Sequence, residues 1–219
     1  MWQLNDCWPV ISWSIVDHFL RKKPAYYAMR RALAPIAVAV KRSHYDWSVD
    51  HARPPKISDY ECWVSSSLTK DTIATMELRY VSIATGQDIK EKRILKDVRI
   101  VANGTTEILS GTTDHSREAP HVLAARVWVD GEIVSRDVDW PQPLKYLDFS
   151  DRGLDIAVHD SEVRVKASRP VKALVFDERD DVVLGDNGLD IVPGDERVIS
   201  ISGAKSTHQA LQWNYLGMP

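Results

Sequence analysis

Met1-Trp2-Gln3-Leu4-Asn5-Asp6-Cys7-Trp8-Pro9 opens the chain, and Trp13 follows closely. The stretch is dense in side chains that stack on polar ligands or hydrogen-bond to them. It reads as the end of a strand running into a loop. Residues 10–20 are rich in apolar and aromatic side chains, and Arg21-Lys22-Lys23 reads as a solvated basic turn. Pro24 then fits the first position of a helix, where its missing N–H is not needed. Ala25, Ala28, Met29, Ala32 and Leu33 recur at helical spacing and form an apolar stripe, read as a packing face. Arg30 and Arg31 suit the negative end of the helix dipole, and Pro35 ends the helix.

Beyond Ile36 the period changes from helical to two. Ala37 to Val40 reads as a strand, and Pro54-Pro55 marks a connector. Tyr60, Cys62 and Val64 alternate with polar residues. Ala74, Met76, Leu78 and Tyr80 are expected on one inward face, with Ile94, Val98 and Ile100 facing inward from another strand. Asn103-Gly104 and Asp130-Gly131 are hairpin signals, because both central positions of a type I′ turn need positive φ. Trp140-Pro141-Gln142-Pro143 is the candidate domain boundary, since two prolines in four residues stiffen the chain and remove ladder donors. After it, alternation resumes in Leu154, Ile156, Val158, in Val163, Val165, Ala167, and in Val171, Ala173, Val175. Short strands separated by turn signals predict a mostly β protein of two antiparallel sandwiches.

Composition excludes several classes. At 219 residues, with 44% hydrophobic and 27% charged side chains, the chain suits one large globular domain or two small ones. A net charge of −3 leaves no electrostatic footprint for nucleic acid. No apolar run approaches the length of a membrane span. Cys7 and Cys62 make no zinc pattern and read as free thiols. The polar Gln3, Asn5 and Asp6 argue against a secretory leader and favour a cytoplasmic location. Asn103-Gly104-Thr105 is a glycosylation sequon, but the hairpin turn explains the Asn-Gly fully and is the preferred reading. The seven histidines fall at no ligand spacing, so no metal or cofactor is expected. The acidic cluster of Asp177, Glu178, Asp180 and Asp181 around Arg179 reads as a solvated hairpin tip rather than a calcium loop.

Three blocks of the opening carry a resemblance: residues 2–9, Ser12-Trp13-Ser14-Ile15-Val16-Asp17, and Lys23-Pro24-Ala25-Tyr26-Tyr27-Ala28. Together they resemble the end of the catalytic barrel of family 2 glycoside hydrolases, and within that family the fungal β-mannosidases. Arg136 to Leu147, Asp186-Asn187 and Asp190 to Asp195 extend the likeness over essentially the whole chain. The resemblance implies a (β/α)8 barrel remnant at 1–35, an immunoglobulin-like β-sandwich at 36–143 and a second at 144–219. It also implies a retaining exo-glycosidase that releases terminal β-D-mannose from mannosides and oligosaccharides.

In such an enzyme two carboxyl groups about 5–5.5 Å apart act as acid/base and nucleophile. In the family both are glutamates on earlier barrel strands, and the acid/base follows an asparagine. Here Asn5 precedes Asp6, Asn103 and Asn187 precede glycine, and Asn214 precedes Tyr215. A barrel also needs eight strand–helix units and about 250 residues. The chain is therefore expected to lack both catalytic glutamates and to be inactive alone. Trp2 matches the tryptophan that family members place against the innermost sugar. The chemistry is sound: an indole face complements the C–H face of a pyranose and excludes water. Gln3, Asn5 and Asp6 read as loop-supporting residues, because Asx side chains routinely close turns onto backbone. Trp8 and Trp13 read as structural. The partner implied is a β-mannoside oligosaccharide, and the helix deprived of its barrel is a place where copies of the chain could associate. The alternative is a carbohydrate-binding or purely structural sandwich module, with an aromatic platform at Trp47, Trp63 or Trp128.

Overall fold

The computed structural model describes residues 3–43, 55–115, 118–159, 161–177, 179, 181–203 and 211–218. Fourteen strands and one α-helix, α1 (Pro24–Ala32), make up the described fold. By contacts the chain divides into two compact units, residues 33–148 and residues 1–32 with 149–219. Among the described residues no helix is long and apolar enough to cross a membrane.

The unit of residues 33–148 contains β1 (Ile36–Arg42), β2 (Ile57–Ser66), β3 (Thr72–Ser82), β4 (Arg93–Ile100), β5 (Gly104–Asp114), β6 (His121–Val129) and β7 (Glu132–Asp139). They form a three-stranded sheet in the order β1-β2-β5 and a four-stranded sheet in the order β4-β3-β6-β7. One hydrophobic cluster joins the two: Val38, Val40, Cys62 and Val64 from the first, and Met76, Leu78, Ile100, Leu123 and Val127 from the second. Two sheets sharing one core make a β-sandwich. The alternation expected in β3 is present, with Ala74, Met76, Leu78 and Tyr80 all buried.

Two expectations need correction. Ile94 is half exposed rather than inward. A bulge pairs Met76 with Leu95 but Ala74 with Val98, and Asp97 within it has φ 55°. One extra residue flips the parity of the strand, so Leu95 takes the half-buried slot. Asn103-Gly104 is not a hairpin turn either. Asn103 has φ 45°, but β4 and β5 belong to different sheets, so this turn carries the chain across the sandwich. Asp130-Gly131 does close the β6–β7 hairpin, with φ 52° and 85° at its two central positions.

The edge of β1 is closed by side chains. The amides of Val38, Val40 and Arg42 donate to Ser135 Oγ at 2.9 Å, Asp137 Oδ2 at 2.9 Å and Asp139 Oδ1 at 3.4 Å. Both runs step by two residues, so the acceptors on β7 match the free donors of β1, which would otherwise present an open edge. Arg42 adds an ion pair to Asp139 and donates to the carbonyl of His121 at 2.8 Å. His121 is itself buried, and its Nε2 lies 2.7 Å from Thr113 Oγ1. Burial, reinforced by Arg42, holds its pKa down at about 4, against 6.5 for a free histidine. The folded state thus keeps the ring neutral while the unfolded chain binds a proton below pH 6.5. Its contribution is complete above pH 6.5 and is lost as pH falls toward 4. Between pH 7 and pH 4, urea unfolding should show the native protein losing roughly 3 kcal/mol more than His121→Gln. Equal losses in the two proteins would contradict a neutral buried histidine.

The other unit holds α1 with β8 (Leu154–Val158), β9 (Glu162–Ala167), β10 (Val171–Phe176), β11 (Val182–Leu184), β12 (Leu189–Ile191), β13 (Arg197–Gly203) and β14 (Trp213–Asn214). Its sheets run β11-β13-β9-β8 and β12-β10-β14. Val163, Val165, Ile199 and Leu184 of one meet Val171, Leu174, Phe176 and Ile191 of the other in a second core. In β10 the inward residues are Val171, Leu174 and Phe176, not Ala173 and Val175. The cause is another bulge: Ala173 has φ 54°, and its amide donates to Asp190 Oδ1 at 2.9 Å.

Candidate functional site

The opening loop is folded around Asp6. Backbone bonds draw residues 4–6 against 15–16: Ile15 N and Val16 N reach the Leu4 carbonyl at 3.2 and 3.0 Å, and Asp6 N reaches that of Val16 at 3.1 Å. Lys23 N donates to the Ile15 carbonyl at 3.0 Å, bringing in the residue that precedes α1. The Asp6 side chain is buried inside this knot. It accepts from the Ser12 hydroxyl, from Ser14 Oγ at 2.7 Å and from Lys23 Nζ at 3.1 Å. Lys23 Nζ donates also to Ser14 Oγ at 2.7 Å. The two serine hydroxyls, followed by the lysine, outweigh burial and hold the Asp6 carboxyl down at about 2. A carboxylate so engaged is a fixed acceptor, unsuited to proton transfer near neutral pH.

Trp2 lies outside the described residues. Gln3 has φ 69° and is exposed, as is Asn5, whose Nδ2 lies 3.4 Å from its neighbour's carbonyl, that of Asp6. The structure thus brings Asp6 together with Ser12, Ser14 and Lys23, and leaves Gln3 and Asn5 at the surface. Ser12 and Ser14 carry the only sequence signal for this knot, two hydroxyls at period two flanking Trp13; Lys23 gives none beyond its charge. Trp8 and Trp13 are not packed but 71% and 73% exposed. Leu4, Val10, Ile11, Phe19 and Leu20 are exposed as well, so the loop turns seven large apolar side chains to solvent.

Helix α1 is fastened by the face opposite to the one expected. Tyr27 is fully buried, whereas Ala25, Ala28, Ala32 and Leu33 are exposed and Met29 is half-buried. The reason lies in Arg31. Its guanidinium donates to Asp186 Oδ1 at 2.5 Å, the Asn187 carbonyl at 3.0 Å and the Gly188 carbonyl at 2.7 Å. Arg30 reaches the Gly185 carbonyl at 2.5 Å. A planar fork gripping three convergent acceptors dominates the apolar stripe in setting the rotation of a nine-residue helix. Gly188 has φ 59°, and a Cβ there would stand 3.1 Å from Pro24. Asn187 is buried and pairs with both backbone groups of Phe176, accepting at 2.9 Å and donating at 2.8 Å.

Among the described residues of the 33–148 sandwich are two grooves, each of about 550 Å3. One, on the β3–β4–β6 face, contains Trp128, Ile73, Ile94 and Glu77. The other, on the β2–β5 face, contains Trp63, Glu61, Glu107 and Ser110. Trp47 lies outside the described residues. No group of three or more His, Cys, Asp or Glu that could hold a metal ion occurs among the described residues. Cys7 and Cys62 are free thiols, and burial, with Asp137 nearby, raises Cys62 to about 12.

Residues 58–146 match the model of the mannosidase Ig/CBM-like domain. β-Mannosidase B of Emericella nidulans is 57% identical over 222 residues, which is 99% of this chain and 26% of that protein. β-Mannosidase B of Aspergillus oryzae is 54% identical over 223 residues, again 99% of this chain and 26% of the relative. The chain thus spans about a quarter of the length of the curated relatives it matches. Among solved structures, a β-D-mannosidase from Dictyoglomus thermophilum superposes on all of this chain and 26% of its own with a TM-score of 0.76 at 16% identity. The exo-chitosanase of Amycolatopsis orientalis does so over 99% of this chain and 30% of its own, with a TM-score of 0.68 at 14% identity. At such identities the superpositions speak for the fold, and the sequence matches speak for descent. The chain is a homologue, at more than half identity over nearly its whole length, of one quarter of the fungal β-mannosidase B proteins.

Proposed function

We propose that the chain serves as the C-terminal portion of a retaining β-mannosidase that removes terminal β-D-mannose from oligosaccharides, and that the catalytic glutamates belong to a barrel preceding it. The observation that carries this reading is the opening loop. Seven large apolar residues from Leu4 to Leu20 are exposed, although the loop is pinned internally by the ion pair of Lys23 with the buried Asp6. An ordered loop that turns Ile11, Trp8 and Trp13 to water is shaped for a missing neighbour. In the full enzyme that neighbour is the rest of the barrel, and Trp2 stands in the innermost sugar subsite. The domain plan follows: a barrel remnant through residue 35, then sandwiches at 36–143 and 144–219. Left uncovered, the loop and the exposed stripe of α1 favour association between copies.

The 219-residue chain alone is the first test. It should not turn over an aryl β-mannoside above background, because positioned carboxyl chemistry supplies the acceleration and the proposed pair belongs to the preceding barrel. Turnover that survives repurification and tracks the chain through size exclusion would overturn the reading.

A further inference from the structure

We propose that the outer face of the β1–β2–β5 sheet carries a second carbohydrate site, centred on Trp63 and built for an uncharged pyranose chain. The site stands on the geometry of the sandwich; only the choice of a mannoside as its ligand rests on the function proposed above.

Three observations meet at Trp63. First, its side chain points away from the core, between the buried Cys62 and Val64, and is only partly covered. Across β1 its register partner is Ala39, a small residue that leaves the ring's flank open. Second, β5 bulges beside it. Cys62 pairs with Leu109 and Trp63 with Glu107, so Ile108 is the extra residue. A bulge bends its strand and re-aims neighbouring side chains. Here it sets Glu107 directly across from Trp63 and Ser110 across from Glu61, while Ile108 and Leu109 pack back against the core as the floor of a groove of about 550 Å3. Third, the two carboxylates on the rim are unspent. Among the described residues neither the Glu61 nor the Glu107 side chain has a hydrogen bond or ion pair, and both are exposed.

The other groove lacks this last property. Arg126 lies 5.0 Å over the Trp128 ring, and both oxygens of Glu77 are engaged, by Arg126 and by Lys92 at 2.9 Å. Its aromatic face and its carboxylate already have partners. At Trp63 a flat apolar surface is flanked by two free acceptors and by the hydroxyls of Ser110 and Thr105, the latter 3.3 Å from Ser65 Oγ. That is the chemistry of sugar recognition: C–H bonds on the ring, hydroxyl pairs on the carboxylates. Lys41 on β1 is the register partner of Glu61, so the two carboxylates leave the rim with one net negative charge, which disfavours uronic acids and sulfated sugars against neutral ones.

The test uses the 219-residue chain and reads tryptophan fluorescence and calorimetry with β-1,4-mannotetraose, cellotetraose and a galacturonate tetramer. Mannotetraose should bind, and Trp63→Ala should weaken it by about tenfold or more. Glu107→Gln, which keeps the shape and removes the charge, should weaken it to a smaller degree. Trp128→Ala should leave it unchanged. Absence of binding to either neutral tetramer, equal binding of the galacturonate, or binding insensitive to both Trp63→Ala and Glu107→Gln would overturn the site. Cellotetraose bound in preference to mannotetraose, with the same dependence on Trp63, would uphold the site and overturn its assignment to mannosides, leaving the catalytic reading to be judged separately.

Discussion

Trp2→Ala, made in a protein that joins this chain to the upstream three quarters of the Emericella nidulans relative, should lower kcat/KM for an aryl β-mannoside by roughly thirtyfold to a thousandfold. Stacking of an aromatic face is worth on the order of 0.5–1.5 kcal/mol beyond area burial. Burial of a large apolar side chain adds about 1.5–3 kcal/mol, and each ~1.4 kcal/mol is a decade in rate. The loss should fall on kcat as well as KM, because water exclusion matters most as charge develops at the anomeric carbon. An unchanged kcat/KM would remove Trp2 from the subsite while leaving the rest of the proposal in place.

Asn187→Ala should destabilise the unit of residues 1–32 and 149–219 by roughly 2–5 kcal/mol. Its side chain pairs with two backbone groups deep in β10, the amide and the carbonyl of Phe176, and its Oδ1 also accepts from Gly188 N at 2.8 Å. Each buried backbone group left unsatisfied costs about 1–3 kcal/mol. The same turn presents the acceptors that hold Arg31, so α1 should loosen too, visible as faster amide exchange in Tyr27 and Met29. Urea unfolding gives the stability; a change below about 1 kcal/mol would show that water replaces the side chain, and the turn would then not be what fixes α1.

The strands were legible in the sequence where the ladder is regular. Ala74, Met76, Leu78 and Tyr80 were identifiable as inward from period two alone, although Glu77 on the opposite face is buried as well. At Ile94 and at Ala173 the same rule failed, because a bulge inserts one residue and exchanges the faces; Asp97 and Ala173, both with positive φ, carry no glycine to announce it. Asn103-Gly104 misled for a different reason. Which sheet the next strand joins is decided by packing far away in sequence, not by the turn. The orientation of α1 was hidden likewise, since the acceptors for Arg31 lie more than 150 residues downstream. The opening motif pointed to a family, yet the partners that bury Asp6 became visible only in the folded loop. Glu61 and Glu107, 46 positions apart, meet beside Trp63 only through the β2–β5 register.

The joined protein itself provides the most direct measurement. Its reaction with an aryl β-mannoside, followed by proton NMR of the anomeric signal, should give β-mannose first, with mutarotation later, while neither the upstream part alone nor this chain alone reacts. Retention is what paired carboxyl groups about 5–5.5 Å apart produce. A soluble, folded joined protein with no turnover, or one that releases α-mannose first, would contradict the assignment of this chain to a retaining β-mannosidase.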